Sequence, residues 1–305
     1  MNALASCRSL FQELVIVVGP VRDNTKLVLL ESEHLINQMV FTHSKNVSIA
    51  RNLGFRAASQ EIILYLDDDV IPSAEWIESH VRAHQEQGPD CCCVAGAVAD
   101  RSRPGTPLQF SYGVHSRLSE SRPVLTQAAE QRYLSNPRWF SGAMGANASY
   151  KRQVLMEIGG FDEFFEYFLE ETDVCLRLLD AGYKIHRINH TVDHYVQPSH
   201  NRRDRKHLTC WYSLAKNTTY FALKHGDQRI YSPMFLIRLT MLLVYRCLLR
   251  ILRLKLTHRL PNALLWRYIR EAIVGVRVGW QAGVEFQKGD ACISTESQKQ
   301  IFNQR

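Results

Sequence analysis

Short apolar runs alternate with helix-like segments along the first two thirds of the chain. Three aliphatic runs are typical of buried strands: residues 14–18, 61–66 and 91–98. Apolar residues at helical spacing predict helices in four further segments: 47–59, 154–158, 174–179 and 206–225. This alternation predicts an α/β fold, a Rossmann-like and mostly parallel sheet flanked by helices.

Other segments lie outside this alternation. The prolines and glycines of residues 101–123 predict a long loop, and long loops often border functional sites. Residues 226–287 predict a further pair of helices rich in basic residues, and the polar residues 288–305 predict a loose tail. We therefore expect an α/β domain over residues 1–225, a basic amphipathic helical extension and a tail.

The most apolar part of the extension is residues 234–256, which five basic residues interrupt. This charge predicts that the segment does not span a bilayer. On a helix, Arg246, Arg250 and Arg253 fall within about 60° of one another. That pattern suits a helix lying at a membrane surface with its arginines at lipid phosphates. A helix packed on the domain with solvated arginines explains the pattern equally well.

The composition is that of a globular protein, with 46% apolar and 22% charged residues, and it excludes disordered, collagen-like and coiled-coil chains. The net charge of +7 is unevenly distributed, because residues 198–270 hold 15 Lys and Arg against 2 Asp. No nucleic-acid-binding motif accompanies this basic segment, whose charges are interleaved with aliphatic runs. We expect its partner to be an anionic membrane surface and not nucleic acid.

The cysteines and the N-terminus predict a cytoplasmic location. The eight cysteines include no CxxC pair, and the adjacent Cys91, Cys92 and Cys93 alternate between the two faces of a strand, so we interpret them as free thiols in a reducing cytosol. Residues 1–11 have neither a basic flank nor a long apolar core, so no secretory signal is predicted. Peripheral contact with the inner face of the membrane is compatible with this location.

Three consecutive aspartates, Asp67, Asp68 and Asp69, follow the predicted strand 61–66. They would repel one another unless a cation or hydrogen bonds offset their charge. Carboxylate oxygens at the carboxyl end of a strand suit Mg²⁺ or Mn²⁺, and open α/β sheets bind ligands at that end. The alternative is a solvated acidic turn in which Asp69 or Ser73 caps the next helix.

A second acidic cluster, Glu170, Glu171 and Asp173, opens the predicted helix around 174–179. The helix dipole alone would favour acidic residues there. Two acidic clusters in one α/β chain are more informative, because one can hold a metal ion while the other supplies a general base.

An ordered series of motifs extends over these segments. It comprises Ala50-Arg51-Asn52-x-Gly54, Leu66-Asp67-Asp68-Asp69-Val70, Gly145-Ala146-Asn147, Gly159-Gly160-Phe161-Asp162-Glu163, Glu170-Glu171-x-Asp173 with Arg177, and Gly182-Tyr183. In content and spacing the series resembles glycosyltransferase family 2, the inverting nucleotide-sugar enzymes of the GT-A fold. The resemblance covers about residues 14–225 and implies a GT-A-like fold.

The resemblance also implies roles for individual residues. Asp67 and Asp69 would bind Mn²⁺ or Mg²⁺ together with His194, for which His200 is the rival. Glu171, with Glu170 and Asp173 as neighbours, would supply the base, although the family more often has Asp at that position. The residues implied in nucleotide-sugar binding are Asp23, Arg51, Asn52, Asp67, Asp68, Gly145 and Asn147. A later basic run could clamp a diphosphate or an anionic lipid acceptor: Arg202, Arg203, Arg205 and Lys206.

The implied reaction moves a sugar from a nucleotide-diphosphate donor to a hydroxyl of a glycan or lipid-linked acceptor, in cell-surface polysaccharide or glycolipid synthesis. One departure from the family pattern is that its first β-strand is absent, so that residues 14–18 correspond to the second strand. A protein that retains the fold and binds the nucleotide without turnover is therefore the alternative hypothesis.

Overall fold

The computed structural model describes residues 1–102, 105, 108–197, 210–226 and 232–289. The chain forms two compact units. Unit 1 comprises Met1–Ser116 and Ser121–Arg205, and unit 2 comprises Arg117–Glu120 and Lys206–Arg305. The sequence analysis places the domain boundary at residue 225, whereas the helix that ends there belongs to unit 2.

Unit 1 alternates strands and helices. Its strands are β1 (Val15–Val18), β2 (Gln38–Phe41), β3 (Ile62–Tyr65), β4 (Val70–Ile71), β5 (Cys91–Asp100), β6 (Tyr112–Ser116), β7 (Ser121–Val124), β8 (Trp139–Ser141), β9 (Ala148–Lys151) and β10 (Lys184–His194). Its helices are α1 (Asn2–Ser6), α2 (Thr25–Glu31), α3 (Val47–Ala57), α4 (Ala74–Glu86), α5 (Gln127–Leu134), α6 (Arg152–Glu157) and α7 (Glu170–Asp180). The α/β prediction is confirmed.

The central sheet has the strand order β3-β9-β5-β10-β4. Strands β3, β5 and β10 share one direction, β9 runs antiparallel between β3 and β5, and the short β4 pairs antiparallel with β10 at the edge. Strands β1 and β2 form a parallel pair, and β7-β6-β8 form a small antiparallel sheet. Three of the five central strands are therefore parallel, as expected.

Side chains at the helix starts explain where the helices begin. The Asn46 carboxamide accepts hydrogen bonds from the backbone N–H groups of Ser48 and Ile49 at the start of α3, and the Ser73 hydroxyl accepts one from Trp76 at the start of α4. Each cap satisfies N–H groups that have no partner within the helix. Because Ser73 caps α4, the aspartates 67–69 are not needed for that purpose.

Two apolar clusters hold the helices of unit 1 on the central sheet. One centres on Phe55, Tyr150 and Phe161, and the other on Trp76, Val98 and Val192. Tyr65 and Tyr150 meet edge to face with ring centroids 5.9 Å apart. Burial of this aromatic area contributes to the stability of the unit.

The prediction of one long loop over residues 101–123 is wrong. The segment contains β6 and the start of β7, which pair in a hairpin that places Gly113 opposite Pro123. Proline cannot donate to a strand ladder, but β7 lies at the edge of its sheet, where one N–H group needs no partner. Proline and glycine therefore mark an edge hairpin here.

Apart from the turn Arg117–Glu120, the described part of unit 2 is mainly helical. Its helices are α8 (Trp211–His225), α9 (Pro233–Leu243), a π-helical stretch (Val244–Leu249), α10 (Arg250–Leu256) and α11 (Asn262–Gln287). Helix α11 packs along α8 through Gly275, Gly279 and Gly283, where a Cβ atom would collide with α8. Within the described ranges, none of the helices combines the length and the apolar character that a bilayer crossing requires.

Candidate active site

The three aspartates follow β3 directly, and the pairing of β4 with β10 brings a histidine to them. Val70 lies opposite His194 and Ile71 opposite Asp193 in this antiparallel pair. The backbone N–H of Tyr195 also donates to the carbonyl of Asp69, at 2.8 Å. His194, which lies 125 positions further along the chain, is thus fixed beside Asp69 by backbone hydrogen bonds.

Asp67, Asp69 and His194 form one cluster of potential ligands. One ligand atom of each residue lies within 4.8 Å of the others. The His194 side chain is completely buried, while those of Asp67 and Asp69 are 31% and 14% exposed. Nε2 of His194 lies 2.8 Å from Oδ1 of Asp69, yet it makes no hydrogen bond with the described part of the protein.

These residues fit a divalent cation. Two carboxylates and one imidazole nitrogen are a donor set that Mn²⁺ accepts and that Mg²⁺ can share with water and phosphate oxygens. A buried imidazole nitrogen without a hydrogen bond is costly unless a ligand completes it. Burial also raises the pKa of Asp67, and Arg51 opposes this shift.

Arg51 on α3 forms ion pairs with two residues of the second acidic cluster, Glu170 and Glu171. Its Nη1 lies 3.1 Å from Oε1 of Glu170, and its Nη2 lies 2.9 Å from Oε1 of Glu171 and 3.9 Å from Oδ1 of Asp67. The guanidinium also lies over the ring of Phe161, 5.4 Å from its centroid. One buried cation therefore links the acidic start of α7 to the aspartates that follow β3.

The two glutamates at the start of α7 differ in their ionisation. Burial, followed by the charge of Glu171, raises the pKa of Glu170 to about 8. Burial also opposes ionisation of Glu171, but Arg51 and the side chain of Glu170 hold the pKa of Glu171 below its usual range. Glu171 is the more accessible, with 17% of its side chain exposed against 4% for Glu170. The ionised carboxylate is the one that solvent reaches.

Gly145 allows these groups to approach each other. Its backbone N–H donates to Oε1 of Glu171 at 3.1 Å. A Cβ atom at this position would collide with both the Arg51 guanidinium and the Glu171 carboxylate. The glycine of the Gly145-Ala146-Asn147 motif therefore has a steric reason as well as its implied role in donor binding.

Two of the predicted site residues, Asn52 and Asp173, have structural partners. The Asn52 amide donates to the Phe161 carbonyl and to Glu163, and its oxygen accepts from the Phe161 N–H. Asp173 is buried and paired with Arg177 at 2.7 Å, and Arg177 in turn donates to the carbonyls of Ile158 and Gly160. These bonds tie the loop before α7 to α3 and α7.

Asn147 anchors a buried polar chain that the sequence analysis did not detect. Its oxygen accepts from Nε1 of Trp76 at 2.8 Å and lies 2.9 Å from Nε2 of His80. Ser149 then lies 2.8 Å from Nδ1 of His80 and 2.9 Å from Nε2 of His84. The spacing of His80 and His84 by four residues on the inner face of α4 was the available signal.

The remaining predicted site residues are not part of the clusters around Arg51 and His194. Asp23 is exposed and accepts hydrogen bonds from the backbone and hydroxyl of Thr25 at the start of α2, which lower its pKa. Asp68 is exposed between its two neighbours. The rival ligand and the basic run fall outside the described residues: His200, Arg202, Arg203, Arg205 and Lys206.

Comparison with known proteins identifies the family. The family model described as "Glycosyl transferase family 2" matches residues 2–159, more than half of the 305-residue chain. A second model, described as "N-terminal domain of galactosyltransferase", matches residues 128–201. The two matches together include every acidic motif discussed above.

Two curated relatives carry transferase names. A pre-mycofactocin glycosyltransferase of Mycobacterium tuberculosis is 27% identical over 146 residues, which are 47% of this chain and 28% of the relative. A glucosyl-dolichyl phosphate glucuronosyltransferase of Haloferax volcanii is 24% identical over 201 residues, which are 60% of each chain. This chain thus spans less than two thirds of the length of either relative.

A solved structure with a similar outline is S. aureus TarS 1–349 in complex with UDP-GlcNAc. It aligns over 94% of this chain and 86% of that chain, with 14% sequence identity and a TM-score of 0.47. At this identity and score, the likeness has no bearing on function. The family match rests on the sequence, and since it covers more than half of the chain, this protein belongs to glycosyl transferase family 2.

Proposed function

We propose that this protein is a metal-dependent, inverting glycosyltransferase that moves a sugar from a nucleotide-diphosphate donor to an acceptor hydroxyl. The observation that carries the proposal is the convergence of Asp67, Asp69 and His194 beside an ionised glutamate held by Arg51. Family membership supports the reaction class. The two curated relatives are named as glycosyltransferases as well.

In this proposal Glu171 is the general base. It would take the proton of the acceptor hydroxyl as the new bond to C1 of the sugar forms and the bond from C1 to the diphosphate breaks, which inverts the anomeric configuration. Arg51 and the Gly145 N–H both bind Oε1 of Glu171 and so hold the carboxylate in one orientation. The lowered pKa of Glu171 keeps its carboxylate ionised at neutral pH, which is the state that a general base requires.

Asp67, Asp69 and His194 would hold Mn²⁺ or Mg²⁺. Such an ion would offset the negative charge that develops on the departing diphosphate. The cluster already concentrates acidic groups, because Asp67, Glu170 and Glu171 all lie near the Arg51 guanidinium. A second cation next to Asp67 would lower the electrostatic cost of this arrangement.

We further propose a glycan or lipid-linked acceptor in cell-surface polysaccharide or glycolipid synthesis. The name of the Haloferax volcanii relative includes a dolichyl phosphate, a lipid carrier. A lipid-linked acceptor would bring the chain to the cytoplasmic face of a membrane.

Calorimetry with UDP and GDP, each with and without Mn²⁺, tests the donor site first. We expect binding that requires Mn²⁺ and that Asp69→Ala abolishes. Asp90→Ala is the matched control, because Asp90 is exposed and pairs only with Lys184 among the described residues. Absence of nucleotide binding by the folded protein would overturn the proposal.

Turnover separates the enzyme from a protein that only binds nucleotide. Nucleotide-sugar donors are incubated with crude glycan and lipid acceptors, and released nucleoside diphosphate is measured. Glu171→Gln should lower this release by about 10²–10⁴-fold while leaving nucleotide affinity nearly unchanged, since a general base contributes in that range. Tight Mn²⁺-dependent binding with no turnover for any donor would favour the non-catalytic alternative.

A further inference from the structure

The long helical stretch of unit 2, residues 233–256, has one buried face and one exposed face. Leu239, Cys247 and Ile251 are buried, and Leu239 packs with Leu118 and Ala222 of the same unit. The orientation of the helix is therefore fixed by apolar contacts within unit 2.

Arg246 strengthens this attachment. Its guanidinium donates to the Thr218 hydroxyl at 3.0 Å and also bonds to Ser119. Of the two alternatives for this helix, the one in which Arg246 points to lipid phosphates is therefore wrong for that residue, because Arg246 lies on the inner side of the helix. Arg250 also has an inner contact, with its guanidinium 5.7 Å from the centroid of the Trp211 ring.

The opposite face is an apolar ridge exposed to solvent. The ridge consists of six aliphatic or thioether side chains spaced three or four residues apart: Ile237, Met241, Val244, Leu248, Leu252 and Leu256. Met241 and Leu256 are 66% and 71% exposed. Exposed apolar patches of this continuity are uncommon on soluble surfaces and mark interaction sites.

The positive charge around the ridge indicates which kind of partner it binds. Residues 233–287 contain nine Lys and Arg against two Glu. Arg253 and Arg259 are exposed near the C-terminal end of the ridge. A second copy of the chain would bring the same positive charge to the interface, and a nucleic acid would leave the aliphatic ridge unused. An anionic lipid surface satisfies both features, because it accepts apolar side chains below its phosphates and basic ones at them.

We infer that the ridge residues insert into the surface layer of an anionic bilayer, with the helix lying in the membrane plane. Tyr245, which is 65% exposed on the same helix, has the amphipathic side chain typical of membrane interfaces. This inference does not rest on the proposed transferase function, since it uses only contacts and charges within unit 2.

Vesicle flotation of the full chain tests the inference. Vesicles of phosphatidylcholine alone are compared with vesicles of phosphatidylcholine and phosphatidylglycerol in equal amounts. We expect binding to the anionic vesicles only. The double variant Met241→Ser with Leu248→Ser should weaken this binding by more than about tenfold, because it removes apolar contacts with the lipid. The matched control is Leu125→Ser, which replaces an exposed leucine of unit 1.

A charge variant keeps the test decisive if the ridge variant folds poorly. Arg253→Gln should weaken anionic binding by about fivefold, in line with the contribution of one basic residue near the surface. Sedimentation velocity is run in parallel. Absence of vesicle binding, vesicle binding that the ridge variant leaves unchanged, or a dimer that the ridge variant dissociates would each overturn the inference, the last in favour of a second copy as the partner.

Discussion

Nδ1 of His194 lies 2.8 Å from the side-chain oxygen of Gln109. An amide oxygen can only accept, so Nδ1 carries a hydrogen, and in the neutral imidazole Nε2 then has the lone pair that faces Asp69. Gln109 is held in place by its own backbone, whose N–H donates to the Val98 carbonyl. Gln109 thus sets the tautomer of the imidazole that is proposed to bind metal.

Replacing Gln109 with leucine should therefore weaken Mn²⁺ binding. We expect a loss of about 10-fold, the lower end of the effect of removing a partner that orients a metal-binding histidine. Titration of Mn²⁺ followed by electron paramagnetic resonance measures this without any assay of activity. Gln109→Glu retains an acceptor for Nδ1 and should bind at least as well as the native protein. Equal Mn²⁺ affinity in the leucine variant would show that Gln109 does not orient His194.

The sequence predicted the elements that carry the acidic groups. The helices that bear Arg51 and Glu171 and the strand before Asp67 were each expected, because their signals are local runs of apolar residues and acidic first turns. The resemblance to the family then named the same acidic residues. Local periodicity and motif spacing were sufficient for this part of the site.

The residues that these acidic groups contact could not be predicted from the sequence. The pairing of β4 with β10 joins segments more than 120 residues apart, and β4 has only two residues, too few for a periodic signal. Likewise, Arg51 was expected at the donor but binds Glu170 and Glu171. Such contacts depend on tertiary packing, which single-sequence patterns do not report.

Arg51 should be essential to the stability of unit 1. Arg51→Gln leaves the ionised Glu171 carboxylate next to Glu170 without its cation, and removing one partner of a buried ion pair costs about 3–5 kcal/mol. We expect a corresponding decrease in the free energy of unfolding, measured by urea titration. Lys184→Gln, which breaks an exposed pair with Asp90, should change that free energy by less than about 1 kcal/mol.

A second substitution should reverse part of this loss. Glu170→Gln in the Arg51→Gln background replaces the carboxyl group beside Glu171 with an amide that cannot ionise, so the double variant should be more stable than Arg51→Gln alone. A double variant that is less stable would indicate that Glu170 contributes through packing and not through its charge.

The buried histidines of α4 should make the protein sensitive to acid. Burial lowers the pKa of both His80 and His84 to about 4, and the charge of Lys151 contributes at His84. In the unfolded chain they titrate near the usual value of about 6.5. The unfolded state therefore binds more protons between these values, and stability is complete above about pH 6.5 and is lost as the pH falls toward 4.

Between about pH 6.5 and 4, the two histidines together should lower the free energy of unfolding by about 6 kcal/mol. His80→Gln keeps a hydrogen-bonding side chain without a titrating group, so its stability should fall less steeply over this pH range. The exposed His43→Gln serves as the control and should retain the native slope. Parallel curves of unfolding free energy against pH for the native protein and His80→Gln would contradict the assignment.

The close contact of α8 and α11 gives a last prediction. A Cβ atom at Gly279 would lie against the backbone carbonyl of Lys216, which cannot move aside as a flexible side chain can. Alanine favours a helix over glycine by about 1 kcal/mol, yet overpacking against a rigid neighbour costs about 1–3 kcal/mol.

Gly279→Ala should therefore lower the stability of unit 2 despite its better helix propensity. Hydrogen exchange of the amides in α8 and α11 measures this locally, and we expect faster exchange in both helices. Arg277→Ala, at an exposed position of the same helix, should leave exchange unchanged or slow it slightly. Slower exchange in Gly279→Ala would mean that the two helices can separate enough to admit a methyl group, and that propensity decides the outcome.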